Sequence, residues 1–112
     1  LRPMALKHVV FTTAENHDRM IAYTSQLPHI ISNAYAKSPL IPDCEEFSAG
    51  SFRDLTRVAR LNESMWAGLF LENRDNLLKE LGILIDNLEQ YKKAMEEDNP
   101  EKLVELLKNT KL

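Results

Sequence analysis

An uninterrupted heptad pattern in the second half of the chain constrains the fold more than any other feature of the sequence. Apolar residues fall at positions 77, 81, 84, 88, 91 and 95, so that the spacing alternates between four and three. This is the spacing of a helix that packs lengthwise against another helix. The composition agrees, because the 112 residues include 17 Leu but only 10 Val or Ile and 3 Gly. The sequence therefore predicts an all-α fold.

Length and charge limit the classes of function. A chain of 112 residues is long enough for one domain with a single hydrophobic core. The net charge of -3 disfavours binding to nucleic acid. No apolar run approaches the ~20 residues of a membrane span, and the single Cys44 suits a reducing compartment. We expect a cytoplasmic domain whose partners are neither nucleic acid nor membrane.

Helix boundaries can be predicted along most of the chain. Thr12 and Glu15 have the spacing of a capping box, which predicts a helix from there to about Lys37. Pro28 lies inside this helix and predicts a kink, because it cannot donate to the carbonyl four residues earlier. A short amphipathic helix is predicted over residues 51–61, with a break and restart at residues 62–64. Asn99 and Pro100 then predict a new helix start, as cap and first helical residue.

The first eleven residues are expected to differ from the rest. Residues 6–11 are the only plausible strand, and an isolated strand is not stable. We therefore expect residues 1–11 to be an extended arm or the remnant of a connection, and residues 12–112 to form the helical domain. The unpaired strand and the start on Leu1 indicate a fragment of a longer protein.

Two polar patches could carry chemistry. Arg53, Arg57 and Arg60 are spaced to share one helix face, where they could hold a carboxylate or phosphate. A solvated charged face is the commoner outcome for such a stripe, and Asp54 could simply pair with Arg57.

The second patch surrounds the helix-breaking proline. Ser25, His29 and Asn33 follow one another at a spacing of four, on the side opposite the apolar face. From the residues alone, a histidine that hydrogen-bonds locally is the commoner outcome here, and a ligand-binding histidine is the alternative. Trp66 is interpreted as a core residue whose indole could also line one side of a pocket.

A metal site is not predicted. The neighbouring His17 and Asp18 would need further ligands from separate helices, and nothing in the sequence completes the set. Glycine-rich phosphate loops, nucleophile elbows and zinc patterns are also absent from the sequence.

The order of these segments adds a resemblance. Residues 17–39 (HDRMIAYTSQLPHIISNAYAKSP), 48–66 (SAGSFRDLTRVARLNESMW) and 71–81 (LENRDNLLKEL) closely resemble prephenate dehydrogenases. The similarity extends over roughly residues 5–107 and points to the C-terminal helical domain of that family. The implied fold is the dimerisation domain of a Rossmann-type dehydrogenase, similar to the C-terminal domain of 6-phosphogluconate dehydrogenase.

The resemblance implies an enzyme of tyrosine biosynthesis that oxidises and decarboxylates prephenate to 4-hydroxyphenylpyruvate with NAD. In that family an N-terminal Rossmann domain binds NAD and supplies the catalytic histidine, and no G-x-G-x-x-G occurs in this chain. We therefore expect no catalytic residue here, no activity from this chain alone, and a homodimer through the long helices.

Six positions match substrate-site positions of the family. By this resemblance Arg57 holds a substrate carboxylate, His29 hydrogen-bonds the substrate, and Ser25 lines the same pocket. The backbone of Gly50 approaches the site, and Asp54 and Trp66 come near it from the neighbouring subunit of the dimer. Arg53 and Arg60 lie outside these matches and are interpreted as surface charge.

Two alternatives stay open. One is an arogenate dehydrogenase, whose substrate carries an amino group where prephenate carries a keto group. The other is a free-standing helical module that binds partners through its heptad helix.

Overall fold

Helices account for nearly all of the regular structure. The computed structural model describes residues 12–47, 49–60 and 62–112, and the arm predicted over residues 1–11 lies outside them. The α-helices are α1 (Ala14–Ile21), α2 (Leu27–Tyr35), α3 (Gly50–Thr56), α4 (Glu63–Glu72), α5 (Arg74–Glu96) and α6 (Pro100–Lys108). A π-helical turn, Ala22–Gln26, joins α1 to α2, and short 3-10 turns occupy Ile41–Asp43 and Glu45–Phe47. Since the described residues contain no strand, the predicted all-α class is confirmed.

The chain divides into two compact units, the first ending at Leu77 and the second covering Leu78–Leu112. All six residues matched to the substrate site lie in the first unit. No described helix is both long enough and apolar enough to cross a membrane.

The first helix begins one residue later than predicted. Thr13, not Thr12, is the cap, and its hydroxyl accepts a hydrogen bond from the Asn16 backbone N–H at 3.1 Å. Thr12 accepts instead from the Asn16 side chain at 2.7 Å. Asn16 therefore binds both threonines, its backbone N–H donating to the cap Thr13 and its side-chain amide to Thr12.

Pro28 is accommodated by a change of helix type. In the π turn that precedes it, the Leu27 N–H donates to the Ala22 carbonyl, five residues earlier. Pro28 has no N–H, so it cannot donate to an earlier carbonyl whether the spacing is that of an α-helix or of a π-helix. It lies in the first turn of α2, where the loss of one donor destabilises a helix least. The structure thus has a π turn before Pro28, and the kink predicted there stays a prediction.

Helices α2 and α3 both end earlier than the sequence indicated. Tyr35 ends α2, two residues before Lys37, as the chain turns toward Pro39. Thr56 ends α3, whereas the pattern predicted a helix to residue 61. The reason for the second difference is tertiary: the Asn33 side chain donates to the Ala59 carbonyl at 2.8 Å, which holds the segment after α3 in a non-helical path.

The second unit is a helical hairpin with predictable ends. Asn99 caps α6 by accepting from the Lys102 N–H at 3.0 Å, and Pro100 is the first residue of the helix, as predicted. The turn before it uses Asp98 at φ 51°, which lets the Asn99 N–H reach the Ala94 carbonyl at 2.9 Å. Ala94 is fully buried, and the Tyr91 hydroxyl donates to the Leu106 carbonyl at 3.4 Å.

A cluster of hydrogen-bonded polar side chains connects the π turn to the junction of α4 and α5. The Asn73 side-chain amide donates to the Gln26 side-chain oxygen at 2.9 Å and to the Asp18 carbonyl at 2.8 Å. Its own oxygen accepts from the Asn76 amide at 2.9 Å. Gln26 is only 7% exposed, so Asn73 satisfies an acceptor that water reaches poorly.

Replacing Asn73 should therefore destabilise the first unit. Asn73→Ala leaves the Gln26 oxygen buried without a donor, which costs about 1–3 kcal/mol. The free energy of unfolding from urea denaturation measures the loss. Asn87→Ala is the matched control, because Asn87 is exposed on α5 and should change stability little. Equal effects of the two substitutions would contradict this role of Asn73.

Candidate functional site

The site forms around the first turn of α2. His29 follows Pro28 directly, and its Nδ1 lies 2.7 Å from the backbone carbonyl oxygen of Ser25. A carbonyl oxygen can only accept, so Nδ1 carries the hydrogen and the proton position of the ring is fixed. Nε2 then points away from this bond. It can accept a hydrogen bond when the ring is neutral and donate one when the ring is protonated.

Trp66 of α4 fixes the plane of the same imidazole. The two ring centroids are 4.2 Å apart and the planes differ by 25°, which is a stacked arrangement. Phe70, one turn later, is tilted against the indole at 5.6 Å. The sequence placed Trp66 either in the core or in a pocket wall, and the half-buried indole supports the His29 ring.

An open groove of about 520 Å³ lies beside this stack. Its lining combines two aromatic rings, two alanines, an amide and two opposite charges: Asn33, Ala59, Arg60, Glu63, Trp66, Ala67 and Phe70. The Asn33–Ala59 hydrogen bond brings the segment after α3 to one wall of the groove. Asn62 caps α4 by accepting from the Met65 N–H at 3.2 Å, which sets the position of the other wall.

The remaining matched residues lie on or just after α3. Arg57 directly follows the helix and is exposed, as is Asp54 within it. The ion pair that their spacing allowed is not formed, since the ion pairs of the described residues lie elsewhere. Gly50 begins α3, and a Cβ there would meet no atom of the described chain within 4 Å.

The structure thus brings together only part of the predicted set. His29 contacts both the Ser25 carbonyl and the Trp66 ring, whereas no hydrogen bond, ion pair or ring contact in the described residues joins Gly50, Asp54 or Arg57 to these three. His17 and Asp18 lie 3.7 Å apart on the surface, and the described residues contain no group of three or more potential metal ligands around them.

Sequence reasoning missed two residues of the groove. Arg60 was interpreted as surface charge, and although exposed it lines the groove because α3 ends before it. Glu63 was not singled out. The sequence offered one signal for these two residues, the helix break predicted at residues 62–64. That break places Arg60 before the start of a helix and Glu63 just inside it.

Comparison with known proteins identifies the family. The family model described as "Prephenate dehydrogenase, dimerization domain" matches residues 13–109. This chain belongs to that family. The predicted resemblance is thereby confirmed, and the family's description as a dimerization domain agrees with the helical architecture.

Individual proteins that the chain is similar to support the same family assignment. The chain is 36% identical over 105 residues to a cyclohexadienyl dehydrogenase of Zymomonas mobilis, covering 88% of this chain and 36% of that protein. It is 29% identical over 109 residues to a prephenate dehydrogenase of Bacillus subtilis, covering 93% of this chain and 29% of that protein. The chain therefore spans about a third of the length of these relatives.

A solved structure confirms the fold. The crystal structure of Synechocystis arogenate dehydrogenase superposes with a TM-score of 0.77 at 22% identity, covering 96% of this chain and 45% of that one. The likeness shows that the two chains share the same helical fold.

Proposed function

We propose that this chain is the dimerisation and substrate-binding part of an NAD-dependent dehydrogenase that converts prephenate to 4-hydroxyphenylpyruvate. The family match over residues 13–109 and the names of the relatives support this assignment. The observation that carries it is the geometry of His29. Its Nδ1 is bound to the Ser25 carbonyl and its plane is held by Trp66, so Nε2 is a preoriented hydrogen-bonding group within the motif shared with the family.

The residues present do not fit NAD itself. Its diphosphate needs a glycine-rich turn between a strand and a helix, and the three glycines of this chain stand far apart, at positions 50, 68 and 82. NAD would be held by a nucleotide-binding domain elsewhere in the whole protein, which also would supply the catalytic histidine. A cytoplasmic location goes with this assignment and agrees with the single cysteine.

The work of this chain is to bind and orient the substrate. Prephenate carries two carboxylates, and the planar fork of Arg57 pairs well with one of them. Arg57 forms no ion pair with Asp54, so its guanidinium does not need to leave a partner to bind substrate. His29 would direct Nε2 at a polar group of the substrate, and the open space around Gly50 would let the backbone at the start of α3 approach it.

Arg57→Ala should weaken prephenate binding in the full-length enzyme that contains this chain. A charged hydrogen bond is worth roughly 1.5–3 kcal/mol, which corresponds to an increase in KM or Kd of about ten- to a hundredfold. Arg57→Lys should recover only part of the loss, because lysine restores the charge but not the fork.

The matched control for this assay is Arg53→Ala. Arg53 is exposed on α3, four residues before Arg57, and is not one of the six positions matched to the substrate site. The rate of prephenate oxidation is measured through the accompanying reduction of NAD. Equal losses of prephenate binding in Arg53→Ala and Arg57→Ala would mean that Arg57 contributes only general positive charge. That result would contradict the assignment.

We also propose that the chain forms a homodimer through its long helices. Support comes from large apolar side chains that the described residues leave exposed on α5 and α6: Leu78, Ile83, Ile85, Leu88, Met95, Val104 and Leu107. Leu88 occupies a heptad position and is 58% exposed. A second copy of the chain would remove this apolar surface from water, which favours association.

Light scattering tests the dimer. The unaltered chain should have twice the 12.9 kDa monomer mass. Leu88→Glu should shift the mass toward the monomer, because the dimer would bury an unpaired carboxylate. Gln90→Glu, which adds the same charge at an exposed polar position of α5, should leave the dimer intact. A monomeric unaltered chain would contradict the proposal.

A further inference from the structure

One side chain contacts both ends of the π turn. The bond that ends α1 runs from the Ala22 N–H to the Asp18 carbonyl, whereas the Leu27 N–H reaches back five residues, to Ala22. The Asn73 amide donates to that same Asp18 carbonyl at 2.8 Å and to the Gln26 side-chain oxygen at 2.9 Å. A single amide group therefore binds the place where the hydrogen-bond spacing changes and also the last residue of the turn.

The backbone supports this spacing least just after the turn. The Leu27 N–H makes the bond that closes the turn, and the next residue, Pro28, has no N–H to continue the series. His29 follows immediately. A contact from another helix therefore stabilises the spacing of the turn at the position where the helix's own hydrogen bonds are interrupted.

The Asn73 amide has one orientation that fits its neighbours. The Asp18 carbonyl can only accept, so the nitrogen of the amide faces it. The amide oxygen accepts from the Asn76 side chain at 2.9 Å. The backbone is held as well, because the Asn73 N–H donates to the Leu69 carbonyl at 3.3 Å and its carbonyl accepts from the Leu77 N–H at 3.0 Å. Asn73 is thus a preoriented donor at the junction of α4 and α5.

The helix that ends at Asn73 also carries the other support of His29. Asn73 caps α4 seven residues after Trp66, which is almost two full turns, so the two side chains lie on the same face. Trp66 stacks on the His29 ring, and Asn73 binds Gln26. The residue before Gln26 is Ser25, whose carbonyl accepts from His29 Nδ1. One face of α4 therefore supports both the plane of the imidazole and the turn that supplies its acceptor.

We propose that Asn73 is a positioning residue that orients His29 for the substrate. It acts through Gln26, because their hydrogen bond holds the end of the π turn and with it the adjacent Ser25 carbonyl. Without this bond the turn exchanges between helical spacings, and the ring is no longer held in one orientation with Nε2 available. The inference rests on the proposed function for the contact between His29 and substrate, whereas the orientation of the ring is a property of the chain alone.

The first test observes the ring directly. In the Asn73→Ala variant, two-bond ¹H–¹⁵N spectra of the chain should show the proton of neutral His29 distributed over both ring nitrogens instead of held at Nδ1. Gln26→Met should give the same change, and it leaves no buried polar atom unpaired, because methionine removes the acceptor itself. Asn87→Ala, exposed on α5, is the control and should leave the ring as in the unaltered chain. An unchanged His29 ring in Gln26→Met would overturn the proposal, even if Asn73→Ala failed to fold.

The second test is the steady-state oxidation of prephenate by the full-length enzyme that contains this chain. Asn73→Ala and Gln26→Met should each raise KM about two- to tenfold, the effect of weakening one neutral hydrogen bond, with little change in kcat. A merely structural role would instead lower kcat in proportion to the folded fraction and leave KM unchanged. Because the two substitutions break the same bond, the double variant should raise KM no further than either single variant.

A His29→Gln background separates positioning from any other contribution of Asn73. No imidazole remains to be oriented there, so adding Asn73→Ala should not raise KM further. An additional rise as large as that in the unaltered enzyme would contradict a role through His29. If the unaltered enzyme does not oxidise prephenate, the proposed function fails, and the ring spectra still decide whether Asn73 orients His29.

Discussion

Pro28 cannot donate a hydrogen bond, and the arrangement of the candidate site depends on that missing donor. The helix before it widens into a π turn over Ala22–Gln26 and continues as α2 from Leu27. The Ser25 carbonyl at this junction accepts from the His29 ring at 2.7 Å. π turns of this kind are frequent at functional sites. Here the last residues of the turn bind a histidine that has one ring nitrogen still available.

Three contacts from other parts of the chain hold this junction in place. The Asn73 amide pairs with Gln26 in the π turn, Asn33 holds the segment after α3, and Trp66 stacks on His29. Each contact joins α1, α2 or the π turn to an element far along the chain. Two of these contacts also shape the groove, because the Asn33 bond sets one of its walls and Trp66 belongs to the other.

Local signals in the sequence predicted much of this fold. Asn99 with Pro100 marked a helix start correctly, as did the break near Asn62, because caps depend on neighbouring residues. The shorter α3 and the placement of Arg60 could not be predicted, since both follow from the hydrogen bond between Asn33 and Ala59, 26 residues apart. Heptad spacing alone also could not say which apolar residues of α5 stay exposed. The family motif singles out His29 and Arg57 as site residues, which stays a prediction, and it does not single out Arg60 or Glu63.

The protonation pattern of the His29 ring tests the central claim most directly. Two-bond ¹H–¹⁵N spectra of the chain distinguish the two nitrogens of each of its three histidines, and a His29→Gln variant assigns the signal. If the Ser25 carbonyl fixes the ring, neutral His29 is protonated at Nδ1 and Nε2 shows the shift of an unprotonated nitrogen. A neutral ring protonated mainly at Nε2 would mean that the Ser25 bond does not form, and it would contradict the account of how the site is oriented.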